Sequence, residues 1–583
     1  MPQLSLNNLL PKKPRSFFSK LLITLVDYLL GISQLNRVYQ DSGLKGLEKK
    51  AFATRFVDVF ELTVKSQTNL PQLIPQKGAA IVVANHPYGG IEGVILAFLL
   101  SSVRGDVKIL ANQALKIIPE LADFFIFTNP LVPGAKGNAK SLRACKDHLA
   151  QGGLLVLFPA GRVSYPGRDG QVTDHQWHRI VGALTSFTQA PLIPCFISGK
   201  NSDFFYFMGK IYFRFRMLLL IREMLNSKGK TVEVTFGQAT LLPSLPEKTQ
   251  MTTDIARLLT YLHAPEYQHQ WPVCKAPEML PLAASQLPHN LDNEISQLPQ
   301  DQCLLQYKYF KVYYASRAQC PAVIEDIRRL REENFRQFDE GSGLPQDGDA
   351  FDDTYTHLFV YDTQNQAITG AYRMGQTDNL LAQGGVSQLY LNRMFDFSAE
   401  FINQQQPCLE MGRSFVVASH QRSFHGLLLL FKGIGAFVCK FPQYRTLYGT
   451  VSLSKQYTPM SVRLIEQFLV TSSSDVKPKK QFDITVPNDV KQYLASYPAD
   501  IEILELLVKQ IEPDGKGLPV LVKLYHQLGA KFYCVSIDPN FAETPGLLLS
   551  VDLPHAPERL LKLYLGQGAE GYLQHDVHTS QAQ

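Results

Sequence analysis

The chain has 583 residues, more than one hydrophobic core usually supports, so at least two domains are expected. With 45% hydrophobic and 19% charged residues it is not an intrinsically disordered chain, and its eight scattered cysteines include no CxxC pair, which argues against a disulfide scaffold or a structural zinc. The net charge of +5 is unevenly shared: residues 1–263 carry 30 Lys and Arg against 17 Asp and Glu, residues 264–583 carry 27 against 35, so only the first half suits a polyanionic partner such as nucleic acid or anionic lipid.

After Lys12, Lys13 and Arg15, the segment SFFSKLLITLVDYLLGIS sets a narrow polar stripe (Ser16, Lys20, Thr24, Asp27, Gly31) on a broad apolar helix. Lys20 and Asp27 interrupt the run, no A-x-A cleavage site follows, and a transmembrane span is not expected. The helix either packs on its own domain or lies in a membrane interface with its basic residues at the head groups. Phe204–Leu225 interleaves aromatics with Lys210, Arg214, Arg216 and Arg222; it suits a membrane interface or a domain edge.

From about residue 50 to 240, AAIVVAN, VKILAN, GLLVLFP, APLIPCFI and TVEVTFG read as strands, and helical patterns follow the first three. Residues 264–300 are rich in Pro and Gln without periodicity and read as a linker. Beyond it, the helix-like PAVIEDIRRLREENF precedes the strand candidates THLFVYD, AITGAYRMG and CLEMGRSFVV. The helix-like GLLLLFKGIGAFVCKF and the strand-like TLYGTVSLS come next. These patterns predict two α/β domains, over 47–263 and 301–583, with residues 1–46 as an amphipathic membrane-associating region.

The first chemical pattern is Asn85-His86-Pro87-Tyr88-Gly89-Gly90-Ile91-Glu92, at the end of a strand. An acid one short turn from a histidine can orient the ring and stabilise its charged form while the ring takes a proton from a hydroxyl. About 70 residues later, Phe158-Pro159-Ala160-Gly161-Arg162 ends another strand, and Pro191–Phe196 leads into Gly199, Lys200 and Asn201. In order, these blocks make residues 50–245 resemble the PlsC-type glycerolipid acyltransferases: a His/Asp box, an FPEG box and a late VPV block. Glu92 stands where that family has Asp, one residue further on, and Ala160 and Arg162 replace the Glu and Thr of the second box. The resemblance implies His86 as general base on an alcohol attacking an acyl thioester, Glu92 orienting it, and backbone N–H groups near Gly161 on the oxyanion. Phe158, Pro159 and Gly161 would line the substrate site. Arg162 and Lys200 could hold a carboxylate or phosphate, or could equally be surface charges, as could Lys116.

The second pattern runs Arg331-x-x-x-Phe335, Asp347-x-Asp349-x-x-Asp352, Tyr372-Arg373, then Glu410-x-x-Arg413. An acidic loop is ordinarily solvated; a Glu and an Arg on an apolar strand are harder to dismiss, because ion pairs are rarely buried without purpose. The set resembles the acyl-homoserine-lactone synthases and the N-acyltransferases of ornithine lipid synthesis, which have a GNAT-like fold and take acyl groups from acyl carrier protein. Residues 307–570 match the ornithine lipid branch better, through THLFVYD, ITGAYRMG, LEMGRS and LPVLVKLYHQLGAKF…DPNF. Ser419–Gly426 lacks the Q/R-x-x-G-x-G/A spacing that cradles coenzyme A, which agrees with a carrier-protein donor.

Taken whole, the chain resembles the bifunctional bacterial ornithine lipid synthases. That implies Glu410 and Arg413 as catalytic residues of N-acylation, and Arg331, Phe335, Asp349, Asp352 and Arg373 as substrate-binding residues. It implies acyl-acyl carrier protein, or acyl-CoA, as donor, ornithine as the amino acid, and no metal or tightly bound cofactor. The partners would be acyl carrier protein and a lipid surface rather than nucleic acid, on the inner face of the bacterial cytoplasmic membrane. Two rival readings are a phospholipid-remodelling enzyme with a regulatory C-terminal module and a membrane-lytic, haemolysin-like protein.

Overall fold

The computed structural model describes residues 17–112, 115, 118–128, 136–167, 170–211, 213–243, 248–272, 278–402, 407–421, 425–471 and 473–575. Two compact units result: residues 1–268 with 486–498, and residues 269–485 with 499–583.

Among the described residues, the main sheet of the first unit has seven strands: β1 (Thr63–Ser66), β2 (Ala80–Ala84), β3 (Lys108–Asn112), β4 (Phe125–Thr128), β5 (Leu154–Leu157), β6 (Leu192–Ile197) and β7 (Thr231–Phe236). Their order is β1-β7-β6-β2-β5-β3-β4, parallel except between β6 and β7. The unbroken apolar runs AIVVA and LLVL supply the middle of the sheet, where every residue of β2 and β5 is buried, as a parallel strand covered on both faces requires. In β7, TVEVTF alternates exposed and buried positions, and this strand carries the antiparallel pairing. Helix α1 (Phe17–Leu29) falls where the amphipathic segment predicts it and α2 (Ile32–Asp41) follows; α3 (Ile91–Leu100) leaves the loop after β2, and α4 (Thr249–Tyr261) lies later in the unit.

The second unit begins earlier than expected. Residues 264–300, whose composition predicts a linker, include α5 (Pro288–Gln297), which buries Leu291 and Ile295 against α6 (Pro321–Arg336). Two apolar side chains four apart were enough to dock a helix whose sequence is otherwise polar. The sheet among the described residues has eight strands: β8 (Cys303–Tyr307), β9 (Phe310–Ala315), β10 (Thr356–Asp362), β11 (Ala367–Gln376), β12 (Cys408–Val416), β13 (Thr446–Ser452), β14 (Lys531–Asp538) and β15 (Thr544–Asp552). The order is β8-β9-β10-β11-β12-β13-β15-β14, antiparallel except for β12 beside β13. Those two strands pair only from Cys408↔Thr446 to Met411↔Gly449 and then part, β12 staying with β11 and β13 with β15. Helix α7 (His425–Lys440) packs on β10 and β11. The two-domain α/β architecture is the one the sequence predicts.

Candidate active sites

In the first unit β2 is followed by Asn85, whose side chain exchanges hydrogen bonds with the backbone of Ile197 at 2.9 and 2.7 Å, fixing the ends of β2 and β6 together. The next residue is His86. Its Nδ1 lies 3.3 Å from Oε1 of Glu92, whose side chain is fully buried. Glu92 sits in the first turn of α3 and accepts the N–H groups of Tyr88, Gly89 and Gly90 at 2.5, 2.7 and 2.8 Å. A carboxylate at a helix N-terminus is favoured by the helix dipole and by those unpaired donors. Burial opposes both charges, but for His86 the Glu92 carboxylate and then Asp174 outweigh it and hold the imidazole above its usual pKa. Burial likewise raises Glu92, and the His86 charge and the Gly89 N–H overcome it to hold the carboxyl below its usual range.

The turn needs glycine. Gly89 has φ +90, and a Cβ there would lie 2.4 Å from Val163 and 2.6 Å from Leu220. Beside the ring, Phe158 lies 4.7 Å away between centroids, and a cavity of about 380 Å³ opens from His86. Phe158, Pro159, Gly161 and Arg162 line it with apolar residues such as Leu35, Ile118 and Met224. An imidazole backed by a carboxylate at the end of an apolar cavity can deprotonate a hydroxyl carried on an acyl chain.

The Gly161 N–H donates to the Phe158 carbonyl at 3.0 Å, closing the turn, so an oxyanion there would take its donors from neighbouring N–H groups. Lys200 is 62% exposed, pairs with Asp203 at 3.5 Å and does not line the cavity. Lys116 lies outside the described residues.

Asp174, which stands in no motif, was missed. It is buried and accepts from the His86 N–H at 3.1 Å, Ser164 Oγ at 2.5 Å and Trp177 Nε1 at 2.8 Å. Nothing near it in sequence marks it; only the fold brings it 88 residues back to His86.

The second site forms where β12 and β13 part. A cavity of about 150 Å³ is lined by Phe335, Arg373, Glu410 and Arg413, four of the sequence-predicted residues, with Tyr355, Tyr390, Tyr448 and Asp538. Residues three apart on a strand normally face opposite sides. Here Ala371 pairs with Phe415 and Arg373 with Gly412, so β12 carries one extra residue, and Arg413 has φ +51. This bulge changes the parity and turns Glu410 and Arg413 into one cavity. A non-glycine residue in that conformation costs about 1–3 kcal/mol.

Glu410 accepts from Tyr355 Oη at 3.0 Å and from the Leu391 N–H at 2.8 Å. Burial pushes its carboxyl up to about 7, against the Leu391 N–H, the Tyr355 hydroxyl and the Arg373 charge, which act the other way. A carboxyl in that range can take a proton from an amine near neutrality. Arg413 turns elsewhere: Nη2 donates to Tyr390 Oη at 3.0 Å, Nε lies 3.3 Å from Asp347, and its guanidinium lies 4.6 Å over the Phe541 ring. Tyr390 in turn donates to Asp538 at 2.6 Å.

The other predicted residues of this half stand behind the cavity. Arg331 is 1% exposed and makes a bidentate pair with Asp352 at 2.9 and 2.9 Å, with Nε 3.2 Å from Asp347. Arg373 bridges Asp349 at 2.5 Å and Asp352 at 3.1 Å. The acidic loop is therefore not solvated: Asp349 and Asp352 hold Arg373, Asp347 lies beside Arg413, and Arg331 braces Asp347 and Asp352; Arg331, Asp349 and Asp352 do not line the cavity. In the loop compared with coenzyme A cradles, residues 422–424 lie outside the described set.

Residues 38–261 match the family model described as acyltransferase, and residues 330–431 match the acetyltransferase (GNAT) domain. The chain is a bifunctional acyltransferase. An acyltransferase domain comes first in it and a GNAT domain second. The lyso-glycine lipid O-acyltransferase of Phocaeicola vulgatus is 28% identical over 234 residues, covering 39% of this chain and 81% of that protein. The glycine N(alpha)-acyltransferase of Bacteroides thetaiotaomicron is 28% identical over 261 residues, covering 42% of this chain and 77% of that protein. Among solved structures, the 1-acyl-sn-glycerophosphate acyltransferase PlsC of Thermotoga maritima aligns with a TM-score of 0.26 at 17% identity, over 44% of this chain and all but 1% of that one. A CoA-dependent acyl-homoserine lactone synthase with SAM and isopentyl-CoA aligns with a TM-score of 0.24 at 12% identity, over 44% and 88% of the two chains.

Proposed function

We propose that this enzyme builds an aminolipid in two steps. In the GNAT domain Glu410 takes the proton from the α-amine of ornithine as it attacks a 3-hydroxyacyl thioester on acyl carrier protein, giving an amide and a free carrier thiol. In the first domain His86, oriented by Glu92, takes the proton of the 3-hydroxyl as it attacks a second acyl thioester and returns it to the departing sulfur, giving the ester and a second free carrier thiol. Phe158, Pro159, Gly161 and Arg162 contact the acyl chains there, and Phe335, Arg373 and Arg413 contact the substrates in the second site. The observation that carries this reading is that each domain aims one base into its own cavity, an imidazole in one and a carboxyl of raised pKa in the other.

Glycine in place of ornithine is the second reading, favoured by the names of the relatives, one acting on glycine and the other on lyso-glycine lipid. Lipid extracts from a bacterial host expressing the chain decide between them. An ornithine lipid keeps a free amine and stains with ninhydrin; a glycine lipid does not. Absence of any new phosphorus-free acyl-amino acid lipid would refute both.

Among the described residues no helix is long and apolar enough to cross a membrane. We place the enzyme on the inner face of the cytoplasmic membrane through α1 and the helix Asp203–Ile211, which expose Leu25, Tyr28 and Leu29, and Phe204, Phe207 and Ile211, respectively.

A further inference from the structure

Residues 486–498 fall inside the GNAT half of the sequence, yet they pack as part of the first unit. Their helix α8 (Asn488–Ser496) lies against α4 and buries Val490 and Tyr493. Two side chains of this segment reach into the unit at separate points. Asp489 accepts from Arg257 Nε at 2.6 Å, with both side chains only 12% exposed. Arg257 Nη1 donates to the carbonyls of His175 and Asp174 at 2.7 and 3.2 Å. The same guanidinium lies 4.9 Å over the ring of Tyr261, whose hydroxyl accepts the Asp174 N–H at 2.8 Å. Separately, Tyr497 Oη donates to Asp254 at 2.8 Å, and Gln250 Nε2 joins Asp254 at 2.9 Å to the Trp177 carbonyl at 3.1 Å.

Both chains of bonds end on the irregular stretch 174–178, which has no strand or helix of its own to fix it. That stretch holds the main chain of His86 through the Asp174 carboxylate. It also holds the Pro159 carbonyl through the His178 N–H at 3.0 Å. Glu92 orients the imidazole from one side, while Asp174 sets where its backbone sits. A displacement of about 1 Å at a reacting group can cost on the order of a hundredfold in rate.

We infer that residues 486–498 are a positioning strap for the first active site, with Asp489 and Tyr497 holding the 174–178 loop and, through Asp174, His86. Neither residue touches the ring; they act through Arg257, Asp254 and Gln250. The inference rests on the proposed ester step for its kinetic readout, whereas its geometry stands without it.

The test uses the full-length chain and the variants Asp489→Ala, Asp489→Glu and Tyr497→Phe. The ester and amide steps are assayed separately, and the His86 ring signal is followed by NMR of ¹³C-histidine-labelled protein, assigned by its loss in His86→Gln. Asp489→Ala should lower kcat of the ester step about tenfold with KM for the acceptor little changed, leave the amide step intact, and shift the His86 signal. Asp489→Glu should restore most of the rate, and Tyr497→Phe, which removes one hydroxyl, should show the same pattern more weakly even if Asp489→Ala fails to fold. A wild-type kcat and an unshifted His86 signal in folded variants, with or without a lower Tm, would overturn the inference. Should the wild-type chain make no ester, the proposed function fails instead, and the His86 signal alone decides: a shift supports the strap, no shift overturns it.

Discussion

Glu92 stands 3.3 Å behind His86, and its two oxygens are held by three backbone N–H groups of the intervening turn. The carboxylate is thus fixed before substrate arrives, and no reorganisation is needed when the imidazole takes up charge. His86→Ala should lower the ester step about 10²–10⁴-fold and leave the amide step intact, so the singly acylated product accumulates. Thin-layer chromatography of lipids from the expressing host checks it; diacylated lipid at wild-type levels would refute the role.

Glu410 makes a pH prediction with a definite sign. Its carboxyl, pushed up to about 7 by burial, must be ionised to accept the amine proton. N-acyl transfer should therefore fall as pH drops through about 7 and level off above it. In Glu410→Gln the acid limb near 7 should vanish along with about 10²–10⁴-fold of the rate. A limb at the same pH in the variant would assign it to another group.

The ion cluster behind the second site makes a stability prediction. Arg331→Leu removes the bidentate partner of Asp352, whose side chain is fully buried. Breaking one side of such a pair costs about 3–5 kcal/mol. Urea unfolding should show the loss in the transition of the second unit. Lys200→Ala, at an exposed site, should change stability by less than about 0.5 kcal/mol and leave ester kinetics alone.

Gly89→Ala should fail for two independent reasons, a left-handed backbone and a Cβ in contact with Val163 and Leu220. A destabilisation of about 1–3 kcal/mol from the backbone alone is expected. Thermal melting, with the amide step as internal control, measures it; an unchanged melt would show that the turn can relax.

For the membrane, replacing Tyr28 and Phe207 by serine removes two side chains that are 68% and 58% exposed. Co-sedimentation with anionic vesicles should weaken several-fold, and high salt should weaken it further through screening. Equal sedimentation of variant and wild type would mean that these faces do not meet lipid.

Most of the scaffold was legible because buried parallel strands are continuous apolar runs: AAIVVAN, GLLVLFP and APLIPCFI need no partner to be read. Short edge elements such as β1, with TVKS half-exposed, carry no such signal. At the sites, His86 and Phe158 line one cavity and Glu410 lines the other. What stayed hidden was geometry made by the third dimension. A one-residue bulge at Arg413 leaves no mark in the letters LEMGRS, though it decides which way the guanidinium points. Lys200 is adjacent in sequence to a motif but its side chain is exposed and pairs with Asp203, whereas Asp174 stands in no motif yet bonds the His86 N–H. The acidic loop looked solvated because its partners, Arg331 and Arg373, lie on separate elements.

The crossing of residues 486–498 back into the first unit also bears on how the protein is made. Ribosomes deliver sequence from the N-terminus, and a domain normally folds as soon as its last residue emerges. Here the first unit reaches residue 268 and then lacks its final helix for about 220 residues more, roughly 10–45 s of translation at 5–20 residues per second. Through that interval Arg257 has no Asp489 to meet. The first site is thus finished only after most of the second unit has been synthesised, and a gene cut between the halves would separate the first site from part of its own scaffold.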